Sequence, residues 1–199
     1  MANYQFSPSP TFGTTYPPFT TWTDGFTNEE LDRIVAYCDT LTKNDGTIGG
    51  QQAGDDVSLI RTSQVAWVQQ NEEALWIYDR LAYIVRQLNG QFYKFDMWGF
   101  TEELQYSVYS ETSRGHYTWH MDSGSQGPPR KLSLVLQLTD PADYEGGDLE
   151  IMASSEPGAV LKQRGLITVF PSYILHRVSP VTKGTRKTIV VWACGPAFR

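Results

Sequence analysis

The chain's 199 residues include three histidines, His116, His120 and His176. In Tyr117-Thr118-Trp119-His120-Met121-Asp122 an imidazole and a carboxylate are separated by one residue. On a strand, residues i and i+2 leave the same face, so His120 and Asp122 should point together while Met121 points away. His176, in the apolar run Tyr173-Ile174-Leu175-His176-Arg177-Val178, offers a second imidazole. Two imidazoles and one carboxylate form a facial triad that leaves three coordination positions open and suits non-haem Fe(II). The competing reading is plain: an isolated His-x-Asp recurs by chance, and a histidine in an apolar strand is usually a hydrogen-bonded core residue. Arg186 weighs against it. It lies ten residues past His176, after Pro180 and a Lys183-Gly184 turn, and opens the apolar strand that runs to Trp192. A guanidinium there can clamp a carboxylate bidentately, and burying it between apolar walls is costly without an anion.

The elements that must position these groups change character along the chain. Residues 1–20, with Pro8, Pro10, Pro17 and Pro18, predict an extended arm over the surface. Residues 21–199 read as a single domain, helical over about 21–90 and jelly-roll-like over about 91–199. Thr27 and Glu30 form a capping box, with Phe26 as a hydrophobic staple. Leu31, Ile34, Val35, Cys38 and Leu41 then recur at helical spacing, predicting a helix over about 28–42. Residues 44–56, with four glycines, predict a loop, read either as a plain connection or as a lid over an active site. A strand follows over 63–68. A second helix begins near Asn71 and stops at Asn89-Gly90. From Phe92 the period becomes two, predicting strand there and over 105–109. Short runs at 116–122, 131–138, 148–152, 166–170, 174–179 and 186–193 follow, each bounded by turn residues. Many short strands with regular turns indicate a sandwich or barrel. The predicted fold class is α+β: a double-stranded β-helix (jelly roll) with N-terminal helices packed on one sheet.

Composition removes several function classes. Sixteen Lys and Arg against twenty-two Asp and Glu give a net charge of −6, so no basic footprint for nucleic acid is visible. The longest apolar run, Ile189 to Cys194, is far short of the roughly 20 residues of a membrane span. The first residues carry no secretory signal. Two cysteines, Cys38 and Cys194, read as buried free thiols in a reducing compartment. The expectation is a soluble cytoplasmic protein that contacts neither nucleic acid nor membrane, with its oligomeric state open.

Five motifs together carry a resemblance. His120-x-Asp122, Gly146-Gly147-Asp148-Leu149, the run from Gly165 to Ser172, His176-Arg-Val-Ser-Pro180, and Gly184-Thr-Arg186 agree in order and spacing with the Fe(II)- and 2-oxoglutarate-dependent dioxygenases. The chain is most similar to their prolyl 4-hydroxylase-like branch, including small microbial and phage-encoded members, over roughly residues 100–195. Arg61-Thr-Ser-Gln-Val-Ala-Trp67 and the second helix resemble the same members less specifically. The resemblance implies that His120, Asp122 and His176 bind iron and that Arg186 holds the distal carboxylate of 2-oxoglutarate. It implies Tyr109 beside the cosubstrate and Gln137 against the same carboxylate, where relatives often have Tyr. The parity of Gln137 with Ser133 and Val135 agrees with a pocket position. Tyr117 and Trp192 match aromatics on the substrate side, Trp192 being equally readable as core. Trp192 also occupies the position at which nucleic-acid demethylases of the superfamily carry a second Arg. The implied reaction consumes 2-oxoglutarate and O₂, with ascorbate as accessory, and hydroxylates a C–H bond with release of succinate and CO₂. The implied substrate is a prolyl residue of a peptide or protein; the alternatives are a free amino acid or other small molecule, or a non-catalytic jelly-roll binding module. His116 shares the parity of His120 and reads either as a pocket-mouth group or as a solvent-facing one.

Overall fold

A computed structural model describes residues 16–47, 55–123 and 127–198. Most of the expected N-terminal arm and the greater part of the 44–56 loop, with the lid reading attached to it, lie outside the described residues.

The chain opens with β1 (Thr20–Trp22) and α1 (Asn28–Thr40). The capping box is formed: the Thr27 N–H donates to Glu30 Oε2 at 2.9 Å and the Glu30 N–H donates to Thr27 Oγ1 at 3.2 Å, which satisfies two donors the first helical turn would otherwise leave unpaired. Strand β2 (Asn44–Asp45), helix α2 (Asp55–Ile60), β3 (Arg61–Thr62) and β4 (Gln64–Val68) lead to α3 (Leu75–Leu88). The second helix therefore starts later than Asn71, whose side chain instead accepts from the Glu73 and Ala74 N–H groups in a preceding turn. The chain does not stop at Asn89-Gly90 either. It continues through a wider π-type turn, Asn89–Tyr93, that ends at Lys94 with φ of 56°. The period-two pattern after Phe92 is thus not a strand. Asn89 exchanges two hydrogen bonds with the Phe95 backbone, and Tyr93 is fully buried with its hydroxyl donating to the Val169 carbonyl.

The remaining strands are β5 (Gly99–Phe100), β6 (Leu104–Ser110), β7 (His116–His120), β8 (Arg130–Gln137), β9 (Tyr144–Gly146), β10 (Leu149–Ile151), β11 (Gly158–Ala159), β12 (Ile167–Pro171), β13 (His176–Val178) and β14 (Val181–Cys194). Among the described residues they form two sheets. The larger runs β1-β12-β8-β14-β6-β4-β2, with β5 and β9 also pairing with β14; the smaller runs β11-β10-β13-β7-β3. Adjacent pairs are antiparallel.

The central strands of the larger sheet are buried on both faces. Leu132, Leu134 and Leu136 of β8, Ile189, Val191 and Ala193 of β14, and Leu104 and Tyr106 of β6 share a core with α1 and α3, which contribute Leu31, Ile34, Cys38, Ile77, Leu81, Ile84 and Leu88. The alternate residues face the other way, toward the smaller sheet: Ser133 and Val135 of β8, Gln105, Ser107 and Tyr109 of β6, and Arg186, Thr188 and Trp192 of β14. This explains why these stretches read as near-continuous apolar runs broken by isolated polar residues. The helices cover one side, and the other side is free to carry chemistry. Such an arrangement is the double-stranded β-helix expected from the sequence. No helix among the described residues is long and apolar enough to cross a membrane.

Candidate active site

His120 ends β7 and His176 opens β13, and the two residues are paired directly across the strands. Asp122 lies just past the strand rather than within it. Its N–H and that of Ser123 both donate to the Ser172 carbonyl at 2.9 Å, so the carboxylate is placed by the loop after β12 instead of by strand parity. One ligand atom from each of His120, Asp122 and His176 lies within 4.8 Å of the others. His120 Nε2 is 3.8 Å from Asp122 Oδ1, and His176 Nε2 is 3.5 Å from Oδ2.

Both rings are locked from behind. His120 Nδ1 is 2.8 Å from the Thr118 carbonyl and His176 Nδ1 is 2.9 Å from the Ile174 carbonyl. A carbonyl oxygen only accepts, so each Nδ1 carries the proton and each Nε2 turns its lone pair toward the shared centre. Burial, then the neighbouring His176, pushes the His120 pKa down to about 4, so this imidazole is neutral at pH 7. Burial works against the Asp122 carboxylate, but His176, His120 and the Ser133 hydroxyl hold it below the usual carboxylate range. Ser133 Oγ donates to Asp122 Oδ2 at 2.6 Å and lies 3.0 Å from Ser172 Oγ. Partners of this kind orient the ligands of a metal. Neutral nitrogen donors with one carboxylate, converging from one side, suit a divalent transition metal.

The three groups line a cavity of about 470 Å³ between the sheets. Tyr109, Tyr117, Trp192 and Arg186 line it too. Tyr117 lies flat on His120, with ring centroids 3.5 Å apart and planes 12° from parallel. Arg186 is only 3% exposed and pairs with no carboxylate among the described residues; its Nε is buried without a hydrogen bond. The Tyr109 ring faces its guanidinium at 5.6 Å. Two residues along β14, Thr188 Oγ1 is likewise buried without a partner. A buried cation with unspent donors beside an orphaned hydroxyl is costly unless an anion completes it. The residues present therefore fit a small carboxylate held at Arg186 and a metal held by the triad.

The Gly146-Gly147 motif serves this geometry. Both glycines have positive φ, 71° and 59°, and a Cβ on Gly147 would come within 3.1 Å of Arg186 Cδ. Only glycine lets the chain pass so close to the arginine stem.

Gln137 lines a narrow crevice that shares Arg186, Val135 and Leu149 with the cavity, and its Nε2 donates to the Thr139 carbonyl at 3.0 Å and to the Tyr144 hydroxyl at 3.2 Å. His116 lies outside the triad, its ring nitrogens 3.0 and 3.4 Å from the Arg114 and Leu59 carbonyls. Three cavity residues escaped the sequence reading as site residues. Arg130 spans both carboxylate oxygens of Glu102, the Nε contact being 2.7 Å, and covers the Trp192 ring at 3.7 Å. Arg61 of β3 faces Tyr117, its register partner on β7. The signal for Arg61 was a lone cation heading an apolar strand; nothing local joins Glu102 to Arg130, which are 28 residues apart.

A double-stranded β-helix with two histidines and an aspartate at one end and an arginine on the facing sheet is the arrangement expected of the 2-oxoglutarate oxygenases that the sequence resembles. Residues 104–194, a little under half of the chain, match the model of the 2OG-Fe(II) oxygenase superfamily. A PKHD-type hydroxylase of Synechococcus sp. (strain CC9311) is 41% identical over 92 residues, 45% of this chain and 42% of that protein. Another, of Gloeothece citriformis (strain PCC 7424), is 43% identical over 79 residues, covering 38% and 36%. The chain thus matches about two fifths of the length of these relatives. Among solved structures, a Pseudomonas putida prolyl-4-hydroxylase superposes with a TM-score of 0.72 at 19% identity, covering 92% of this chain and 95% of that one. A Trichoplax adhaerens prolyl hydroxylase, solved with a hypoxia inducible factor peptide fragment, gives 0.74 at 18%, covering 89% and 84%. At these identities the two superpositions establish the shared fold.

Proposed function

We propose that this chain is an Fe(II)- and 2-oxoglutarate-dependent dioxygenase that hydroxylates a prolyl residue of a peptide or protein. The observation that carries the reading is the pairing of two incomplete sites in one cavity: three ligand atoms within 4.8 Å of one another, and a buried arginine with an unspent donor on the facing sheet. The PKHD-type hydroxylases and prolyl hydroxylases among its relatives supply the choice of a prolyl target.

His120, Asp122 and His176 would hold the metal, and Ser133 and the Thr118 and Ile174 carbonyls keep those ligands aimed. Bound Fe(II) supplies the oxidative chemistry, in which one oxygen atom of O₂ enters the substrate C–H bond and the other enters succinate as 2-oxoglutarate loses CO₂. Arg186 anchors the distal carboxylate of the cosubstrate, so the small flexible anion is fixed at both ends. Tyr109 packs beside it. Tyr117 and Trp192 wall the space in front of the triad and restrict water. Glu102 and Arg130 neutralise each other and hold the Trp192 ring in place.

The test is incubation with Fe(II), 2-oxoglutarate, ascorbate and O₂ in the presence of proline-containing peptides. The reading expects succinate together with a peptide that has gained one oxygen atom on proline. Succinate formation with every peptide unmodified would defeat the prolyl assignment and leave a small-molecule hydroxylase; no succinate and no metal binding would leave a binding module.

A further inference from the structure

We propose that Arg61 is the seat for a carboxylate carried by the substrate, so that the cavity accepts two acids: the cosubstrate at Arg186 and the substrate at Arg61. The proposal deepens the reading above and rests on it for the reaction, but its geometric basis is separate. Arg61 is 8% exposed, as buried as a core residue. Two of its three nitrogens are spent: Nε donates to Ser63 Oγ at 2.9 Å and Nη1 donates to the Thr47 carbonyl at 3.1 Å. Both acceptors are neutral, and no carboxylate among the described residues forms an ion pair with it. Nη2 is buried without any partner.

Its position makes that unspent donor useful. The guanidinium lies 4.8 Å from the centre of the Tyr117 ring, and Tyr117 lies flat on His120. Arg61 is therefore one aromatic ring away from the triad, lining the same cavity at the mouth formed with Asn44 to Thr47. The acids that share the cavity are already engaged or elsewhere. Glu102 is taken by Arg130, Asp122 accepts from Ser133 Oγ within the triad, and Asp45 is exposed on β2 without an ion pair to Arg61. The arginine is also fixed before any ligand arrives. A Cβ on Gly46 would fall 2.6 Å from its Nε, so the chain passes against it where only glycine fits. A rigid, buried, singly unsatisfied guanidinium is what a charge-assisted contact to carboxylate needs, and it wastes little freedom on binding. The carboxylate could be the main-chain acid of a free or C-terminal residue, or an Asp or Glu side chain beside the target. Both present the same group.

The experiment uses the full chain loaded with Mn(II) and N-oxalylglycine, which occupies the Arg186 end. N-acetylproline and N-acetylprolinamide are titrated calorimetrically, followed by N-acetylglycine and its amide, and a proline peptide with a neighbouring Glu or Gln. Wild type should bind each acid about tenfold or more tightly than its amide, and Arg61→Gln should bring the two together. Arg61→Lys should keep part of the preference, and unchanged N-oxalylglycine affinity in both variants shows that the fold stands. The source is read from the ligand that binds best: the acetylated amino acids for a main-chain acid, the Glu peptide for a side chain. Equal binding of acid and amide by wild type, no binding of any probe, or a preference that survives in Arg61→Gln overturns the proposal. A preference for the acetylglycine acid with no prolyl hydroxylation in the turnover assay would retain the seat and remove only the prolyl target.

Discussion

Replacing Arg186 by Met removes a guanidinium while keeping most of the apolar stem that packs against Gly147. In the unliganded protein the charge is 3% exposed with its Nε unpaired, so its loss relieves a desolvation cost. Stability without ligand should stay level or rise by about 1 kcal/mol, a gain of roughly 2–4 °C in Tm for a chain of this size. Cosubstrate affinity should move the opposite way. A hydrogen-bonded charge contact contributes about 1.5–3 kcal/mol, so the 2-oxoglutarate Kd should rise roughly 10- to 150-fold, while Mn(II) affinity remains. Ligand at a hundred times Kd stabilises by about 2.7 kcal/mol, and at that same concentration the variant should lose roughly half to nine tenths of the shift. Thermal unfolding with and without 2-oxoglutarate, together with calorimetric titration of both ligands, reads all of these quantities on one protein. An unchanged 2-oxoglutarate Kd, or a variant destabilised by several kcal/mol without ligand, would refute the reasoning: Arg186 would then be a structural residue satisfied by its surroundings.

Other perturbations separate the remaining roles. His176→Ala should abolish tight Mn(II) binding in titration while far-UV circular dichroism stays unchanged; retained affinity would mean the three groups do not share an ion. Asp39 is opposed by burial, yet Lys187 at 2.6 Å and Tyr106 at 2.8 Å hold its carboxyl below the ordinary range. Its folded pKa being depressed, its stabilisation is present above the unfolded pKa of about 3.9 and is lost as pH falls through the folded value. Asp39→Asn should therefore be less stable than wild type at pH 7 and show a shallower loss toward pH 2 in urea titrations. Burial pushes the Cys38 thiol up to about 12, so a thiol-specific disulfide reagent at pH 8 should leave it unmodified until denaturant is added. Leu81→Ala, beneath α3 at 0% exposure, should cost about 2–5 kcal/mol, measured by denaturant unfolding.

The parts of the site that sequence reading reached are those whose geometry is local. The ten-residue step from His176 to Arg186 and the Thr27–Glu30 box each depend on one element or one tight turn, and the His120-x-Asp122 spacing picked out the right pair although the Ser172 carbonyl, not strand parity, places the carboxylate. In the structure Arg186 and Trp192, six residues apart on β14, both line the cavity, as alternation along a strand requires. What escaped depends on pairing between distant strands. Arg61 meets Tyr117 only through the β3–β7 register, and Glu102, in the bend between β5 and β6, meets Arg130 at the start of β8. Asn89-Gly90 has the composition of a helix stop, yet the burial of Tyr93 and the Asn89 contacts to Phe95 carry the coil one turn further. The parity of Gln137 is legible, while the donation of its amide to the Thr139 carbonyl and the Tyr144 hydroxyl is a choice that neither parity nor spacing encodes.

Strand β14 has a double duty: one row of its side chains is clamped under the helices, and the other carries Arg186, Thr188 and Trp192. Arg61, by contrast, hangs on a two-residue strand at the rim of the smaller sheet. Heritable change is therefore channelled unevenly. A drift in β14 is penalised twice, through unfolding and through loss of the cosubstrate, whereas the rim can be rewritten at small cost to either. A lineage built on this scaffold would keep its oxidative reaction while exchanging one target molecule for another.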